Sequence, residues 1–124
     1  MGLKTYFFDT YAFIEIIKGS PNYKEFSEYA SIVTTKLQLM ELYYSVLCES
    51  GKEKADFYYT LFSQRSVPLQ DETIKNAMHF RLQHRKRKLS YVDCLGYTLA
   101  LEREIPFLTG DKEFESFPNV CFIK

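Results

Sequence analysis

Cysteine is too scarce and too scattered to organise this chain. There are 3, at Cys48, Cys94 and Cys121, with no C-x-x-C pair and an odd total. That pattern supports neither a zinc site nor a disulfide framework, and it suits a reducing cytosol. Excess charge is equally missing, because 16 basic residues balance 16 acidic ones. Bulk attraction therefore cannot coat a nucleic acid, and any electrostatic role must come from how charge is distributed. No stretch approaches the ~18 consecutive apolar residues of a membrane span. The N-terminus also lacks a basic segment leading into an apolar run, so a cytoplasmic location is expected. No repeat, linker or low-complexity tract interrupts the chain, which predicts one domain over residues 1–124.

What is present is aromatic: ten tyrosines and eleven phenylalanines within a hydrophobic fraction of 46%. Lys4 to Phe8 reads as a short buried strand, because Tyr6, Phe7 and Phe8 favour a pleated surface without polar alternation. "TYAFIEIIKG" then has helical apolar spacing and a stop at Gly19, with Pro21 beyond, and a short helix follows at Tyr23 to Tyr29. "SIVTT" predicts a second strand, and "LQLMELYYSVLCESG" and "KEKADFYYTLFSQ" predict two helices on either side of Gly51. "SVPLQ" is a weak third strand. "DETIKNAMHFRLQHRKRK" is a helix with an acidic start and a basic finish, which suits the helix dipole.

"LSYVDCLGYTLALERE" is a further helix, whose Gly96 and Ala100 permit close packing. "IPFLTGD" is a strand entering a turn, "KEFESF" a helical piece and "NVCFIK" a last strand. Strands alternating with helices predict a doubly wound α/β domain, with a parallel sheet of four to five strands and helices on both faces.

In such a sheet, ligands bind beyond the carboxyl ends of the strands. Asp9 leaves the first strand, Glu41 lies early in the helix after the second, Asp93 lies in the first turn of a later helix, and Asp111 follows "PFL". Three of these have an ordinary alternative: Asp9 and Asp111 can cap helices, and Ser90 with Asp93 has capping-box spacing. Glu41 does not, because it lies more than a turn into its helix among Leu39, Met40, Leu42 and Tyr43, where it needs water or a charged partner. Four carboxylates in one pocket repel unless a cation sits among them. Oxygen donors without clustered His or Cys select Mg²⁺ or Mn²⁺ over zinc, and the chemistry such ions support is phosphodiester hydrolysis.

"FFDTYAFIE", "LMELYYSVL", "LSYVDCLGYTLALE" and "PFLTGDKEFE", in this order, closely resemble PIN-domain ribonucleases, especially the VapC-type toxins of toxin–antitoxin pairs. The resemblance spans nearly the whole chain. It is most specific where a Y-x-D helix start is followed by a strand and T-x-D-x-x-F. It implies that Asp9, Glu41, Asp93 and Asp111 bind one or two Mg²⁺ or Mn²⁺ ions, that RNA is the substrate and that a small antitoxin is the partner. One departure is Gly110, where many relatives carry Asn. Thr10 and Thr109 flank candidate acids and are supporting candidates, though ordinary cap or turn chemistry also suits them.

The basic run "RLQHRKRK" offers Arg81, Arg85, Lys86, Arg87 and Lys88 as contacts to an RNA backbone, unless it is simply a solvated helix end. His79 and His84 are five apart and do not form a ligand pair on one helical face. Cys94 has no evident base and reads as a buried structural thiol. Glu15, Glu113 and Glu115 read as solvated. Tyr43, Tyr44, Phe57, Tyr58, Tyr59 and Phe62 divide between core and a groove for an antitoxin segment or a second copy, so a homodimer is expected. An aspartyl phosphatase usually carries a second Asp two places after the first, and Tyr11 stands there. A catalytically silent RNA- or protein-binding module is the remaining alternative.

Overall fold

A computed structural model describes residues 2–124. Four parallel strands form one sheet in the order β2-β1-β3-β4: β1 (Lys4–Phe8), β2 (Ala30–Val33), β3 (Phe107–Thr109) and β4 (Val120–Phe122). Between β1 and β2 lie α1 (Thr10–Lys18), a one-turn 3-10 helix at Pro21–Tyr23 and α2 (Lys24–Tyr29). Between β2 and β3 lie α3 (Lys36–Ser50), α4 (Lys52–Ser63), α5 (Asp71–Gln83) and α6 (Tyr91–Glu102), and a second 3-10 turn, Lys112–Phe114, precedes β4. Gly19, at φ 75°, closes α1 in the left-handed conformation that its missing side chain makes cheap.

Successive strand residues face opposite sides of a sheet, and β1 uses this to build two cores. Phe8 joins Phe13, Tyr23, Phe26, Leu39, Leu42 and Phe62 on the α1–α4 side. Phe7 joins Leu95, Tyr97, Phe107 and Phe114 on the α5–α6 side. Most of the aromatic excess is consumed here. Gly96 does what its spacing predicts: a Cβ there would lie 2.9 Å from Phe7 and 3.2 Å from Phe107, so α6 packs onto the sheet only with glycine at this position.

Two predicted elements differ. "SVPLQ" is no strand: Ser66 makes a single parallel bridge to Thr34, flanked by Thr34 N–H to the Arg65 carbonyl at 3.1 Å and Val67 N–H to the Thr34 carbonyl at 2.9 Å. Pro68 lacks the donor needed to extend that ladder. The helix over 71–88 stops at Gln83, so only Arg81 of the basic run is helical and residues from His84 onward form turns.

Candidate functional site

The strand order reverses direction beside β1: the chain first moves outward to β2, then returns to place β3 and β4 on the opposite flank. Such a switch point opens a crevice at the carboxyl ends of the two strands that flank it, here β1 and β3. Asp9 follows β1 and Asp111 follows β3 by one residue, so both stand at this crevice.

Asp9 occupies the N-cap position of α1, yet its side chain makes no cap hydrogen bond. Its Oδ2 instead accepts from the Thr109 hydroxyl at 2.7 Å, across the switch point. The residue is 3% exposed. Burial first, then the charges of Asp93 and Glu41, push its carboxyl up to about 7, against the opposing hydrogen bonds from the Thr109 hydroxyl and the Thr10 backbone. The cap reading of Asp9 therefore fails on geometry.

Thr109 also accepts the Asp111 N–H at 3.1 Å, so one hydroxyl ties two of the acids together. Asp111 does cap the 3-10 turn after it, its Oδ1 accepting from the Glu113 N–H at 3.0 Å. Asp93 forms a full capping box with Ser90: its Oδ2 accepts the Ser90 N–H at 2.9 Å while its own N–H donates to Ser90 Oγ at 3.0 Å. A carboxylate has two oxygens, so a cap engages one and leaves the group's charge in place. Burial, offset by the hydrogen bonds from Ser90 and assisted by Asp111 and Glu113, holds the Asp93 carboxyl above the ordinary aspartate range.

Glu41 is half-buried, and its Oε1 accepts from the Thr10 hydroxyl at 2.9 Å. Burial and the charge of Asp93 raise it too, the Thr10 bond opposing. Thr10 and Thr109 thus each hold one candidate acid from a neighbouring element. Asp93 couples to Asp9, Glu41 and Asp111 and is the electrostatic centre of the group. Among the described residues, no three His, Cys, Asp or Glu side chains close into a ready ligand cluster. The donor set fits a hard divalent cation, being carboxylate and hydroxyl oxygen without His or Cys. Three of its carboxyls are raised by repulsion and burial that a cation would relieve.

Three contributors escaped the sequence reading. Gln38 is fully buried, and its Nε2 donates to the Val92 carbonyl at 3.0 Å, pinning the start of α3 to the start of α6. The signal was a lone amide inside "LQLMEL". Glu113 is not solvated: it is half-buried and paired with Arg87 at 3.4 Å. Tyr11 explains Gly110, since a Cβ at 110 would lie 2.6 Å from Tyr11 Cζ and closer still to the Ile123 carbonyl. The Asn of other PIN sequences has no room here. Glu15 also has partners, Ser20 at 2.8 Å and Lys18 at 3.7 Å, whereas Glu115 is exposed.

Of the basic run, Arg85, Lys86 and Lys88 are exposed. Arg81 lies against Tyr91, its guanidinium 4.5 Å from the ring centroid, and Arg87 is turned toward Glu113. Both are half-buried, so the five basic residues of the run are not equally exposed. His79 is exposed, and the His84 ring packs at a tilt against Phe80 and edge-to-face against Phe117. Cys94 is buried, with burial raising its thiol to about 11, as an inert structural cysteine should be. Phe62 is buried, Tyr43, Tyr58 and Tyr59 are half-buried against the same core, and only Tyr44 and Phe57 stand out in solvent.

A family model for the PIN domain matches residues 6–120. The chain belongs to the PIN domain family. Its fold is similar to that of VapC20 from Mycobacterium tuberculosis, a toxin that cleaves the sarcin-ricin loop, with a TM-score of 0.78 at 15% identity over 91% of this chain and 95% of the other. It is also similar to chains in VapBC2 from Rickettsia felis bound to a promoter DNA fragment, with a TM-score of 0.73 at 21% identity over 94% and 95%. VapBC-1 from nontypeable Haemophilus influenzae gives 0.71 at 17% over 94% of each chain. No curated protein matches by sequence. No helix among the described residues is long and apolar enough to cross a membrane.

Proposed function

We propose that this protein is a Mg²⁺- or Mn²⁺-dependent endoribonuclease, the VapC-type toxin of a toxin–antitoxin pair, acting in the cytoplasm as a homodimer. The observation that carries the reading is Asp9: a buried carboxylate at a strand exit that caps nothing, bonded across the sheet's switch point to Thr109 and coupled to Asp93 and Glu41. A structural role does not require so costly a placement. Asp9, Glu41, Asp93 and Asp111 would hold the ion. Its chemistry, when bound, is to place positive charge beside the phosphoryl oxygens and to make water a stronger acid.

The chain's own residues do the rest. Thr109 holds Asp9 and Asp111 in mutual register, and Thr10 holds Glu41 by Oε1, leaving Oε2 to take a proton from an attacking water. Burial and the charge of Asp93 raise the Glu41 carboxyl, which makes it a stronger base for that task. Arg85, Lys86 and Lys88 supply charge for the RNA backbone. The exposed Tyr44 and Phe57 belong to the face we assign to the antitoxin or the second copy.

The test is cleavage of RNA by the purified chain in Mn²⁺ and in EDTA, beside Asp9→Asn. Metal-dependent cleavage by the parent, absent in the variant, is expected. RNA binding without cleavage in any metal would make the protein a silent binding module.

A further inference from the structure

Arg87 belongs to the basic run but does not face outward as Arg85, Lys86 and Lys88 do. Its Nε donates to Glu113 Oε1 at 3.4 Å, its Nη2 donates to the Glu113 carbonyl, and its guanidinium lies 4.7 Å from the Phe117 ring centroid. The Lys88 N–H also donates to Glu113 Oε1, at 3.3 Å. One guanidinium thereby grips both the main chain and the side chain of a single residue. Glu113 in turn donates its N–H to Asp111 Oδ1 at 3.0 Å. Asp111 donates its N–H to Thr109 Oγ1 at 3.1 Å, and the Thr109 hydroxyl donates to Asp9 Oδ2 at 2.7 Å. An unbroken series of hydrogen bonds therefore leads from the turn after α5 to two of the candidate carboxylates.

We propose that Arg87 is a positioning residue of the candidate metal site: by clasping Glu113 it fixes the turn that aims Asp111, and it does not contact the RNA backbone. The inference rests on the metal-dependent nuclease reading. The turn in question, Lys112–Phe114, is a single 3-10 turn, too short to hold its own geometry by internal bonds. Something outside it must fix Asp111, and the planar fork of Arg is suited to engaging a carboxylate and a carbonyl together. The ion pair is about a third exposed on each side, so it contributes little as bulk stability. Its value is geometric.

Two measurements separate this role from a phosphate contact. Calorimetric titration of RNA-free protein with Mn²⁺ should show about 10-fold weaker binding for Arg87→Ala than for the parent. The salt dependence of binding to a single-stranded RNA oligonucleotide, measured in EDTA, should be the same for both. A salt slope lower by about 0.7 in the variant, with unchanged Mn²⁺ affinity, would make Arg87 a backbone contact and overturn the inference. Arg87→Lys carries the Mn²⁺ comparison if Arg87→Ala does not fold, because it keeps the charge and loses the fork. Parent-like Mn²⁺ binding by Arg87→Lys refutes the clasp alone. A parent that binds no Mn²⁺ at millimolar concentration refutes the nuclease reading, and the clasp with it.

Discussion

Replacing Asp9 by Asn should stabilise the metal-free protein at alkaline pH and not at acid pH. The amide keeps an oxygen that can accept from the Thr109 hydroxyl, so the 2.7 Å bond has a substitute, while the buried negative charge is lost. Burial and the neighbouring carboxylates raise the folded-state carboxyl from 3.8 to about 7. A folded pKa above the unfolded one means that the native state holds the proton more tightly. The stability Asp9 contributes is therefore fully present below pH 3.8 and is lost as pH rises through about 7. That interval corresponds to about 4 kcal/mol. The stability gap between variant and parent should accordingly be near zero around pH 4 and approach that figure around pH 8. With about 3–5 °C per kcal/mol for a chain of this length, the gap should be obvious in a melt. The chain has no tryptophan, so far-UV circular dichroism in EDTA is the assay. A gap that does not change with pH, or a variant less stable than the parent at pH 8, would refute this account of Asp9.

Mg²⁺ or Mn²⁺ should raise the parent's melting temperature by binding only the folded acidic mouth, with about 2.7 kcal/mol expected at a hundredfold excess over Kd, and Asp9→Asn should show little of this. An unchanged melt at millimolar metal counts against a shared site. Gly110→Asn should destabilise by about 1–3 kcal/mol in urea titration, because its Cβ meets Tyr11 and the Ile123 carbonyl. Adding Tyr11→Ala should recover part of the loss, and strictly additive effects would show that the two positions do not clash. Neutralising Arg85, Lys86 and Lys88 together should flatten the salt dependence of RNA binding by about 0.7 per lost contact to single-stranded RNA, leaving Mn²⁺ affinity unchanged. A parent-like slope would return these residues to a solvated turn.

The sheet and its helices were legible because they depend on local signals: aromatic and β-branched runs for strands, glycine stops for helices. The missing fifth strand and the early end of α5 depend on tertiary partners instead. "SVPLQ" looks β-favouring, but Pro68 denies it a ladder. The stretch from His84 to Lys88 looks like the end of a helix, but the contact of Arg87 with Glu113 and the packing of His84 against Phe80 and Phe117 lie outside any local helical signal. Nothing in either segment announces that Glu113 and Arg87 meet, 26 residues apart. Gly110 was a departure from a family pattern, and its reason lies in an aromatic ring from α1.

Cap and site residues share one vocabulary where helices begin, and that is why the sequence leaves Asp9, Asp93 and Asp111 open between the two. A strand that turns directly into a helix favours a short acceptor at the junction, whatever else the junction does. A cap and a site role are not exclusive for Asp93 and Asp111, since each engages one oxygen locally and the charge of Asp111 still acts on Asp93. Asp9 differs because its partner is Thr109, a hundred residues away on the adjacent strand. A local cap stabilises the helix it begins, whereas a bond across the switch point fixes the separation of two strand ends and with it the spacing of Asp9 and Asp111. Thr109→Val should therefore loosen both acids at once, lowering Mn²⁺ affinity more than a cap deletion such as Ser90→Ala lowers it at equal cost in stability. Paired urea and Mn²⁺ titrations of the two variants check this. Equal losses of affinity per kcal/mol of stability would show that Thr109 is only another structural threonine.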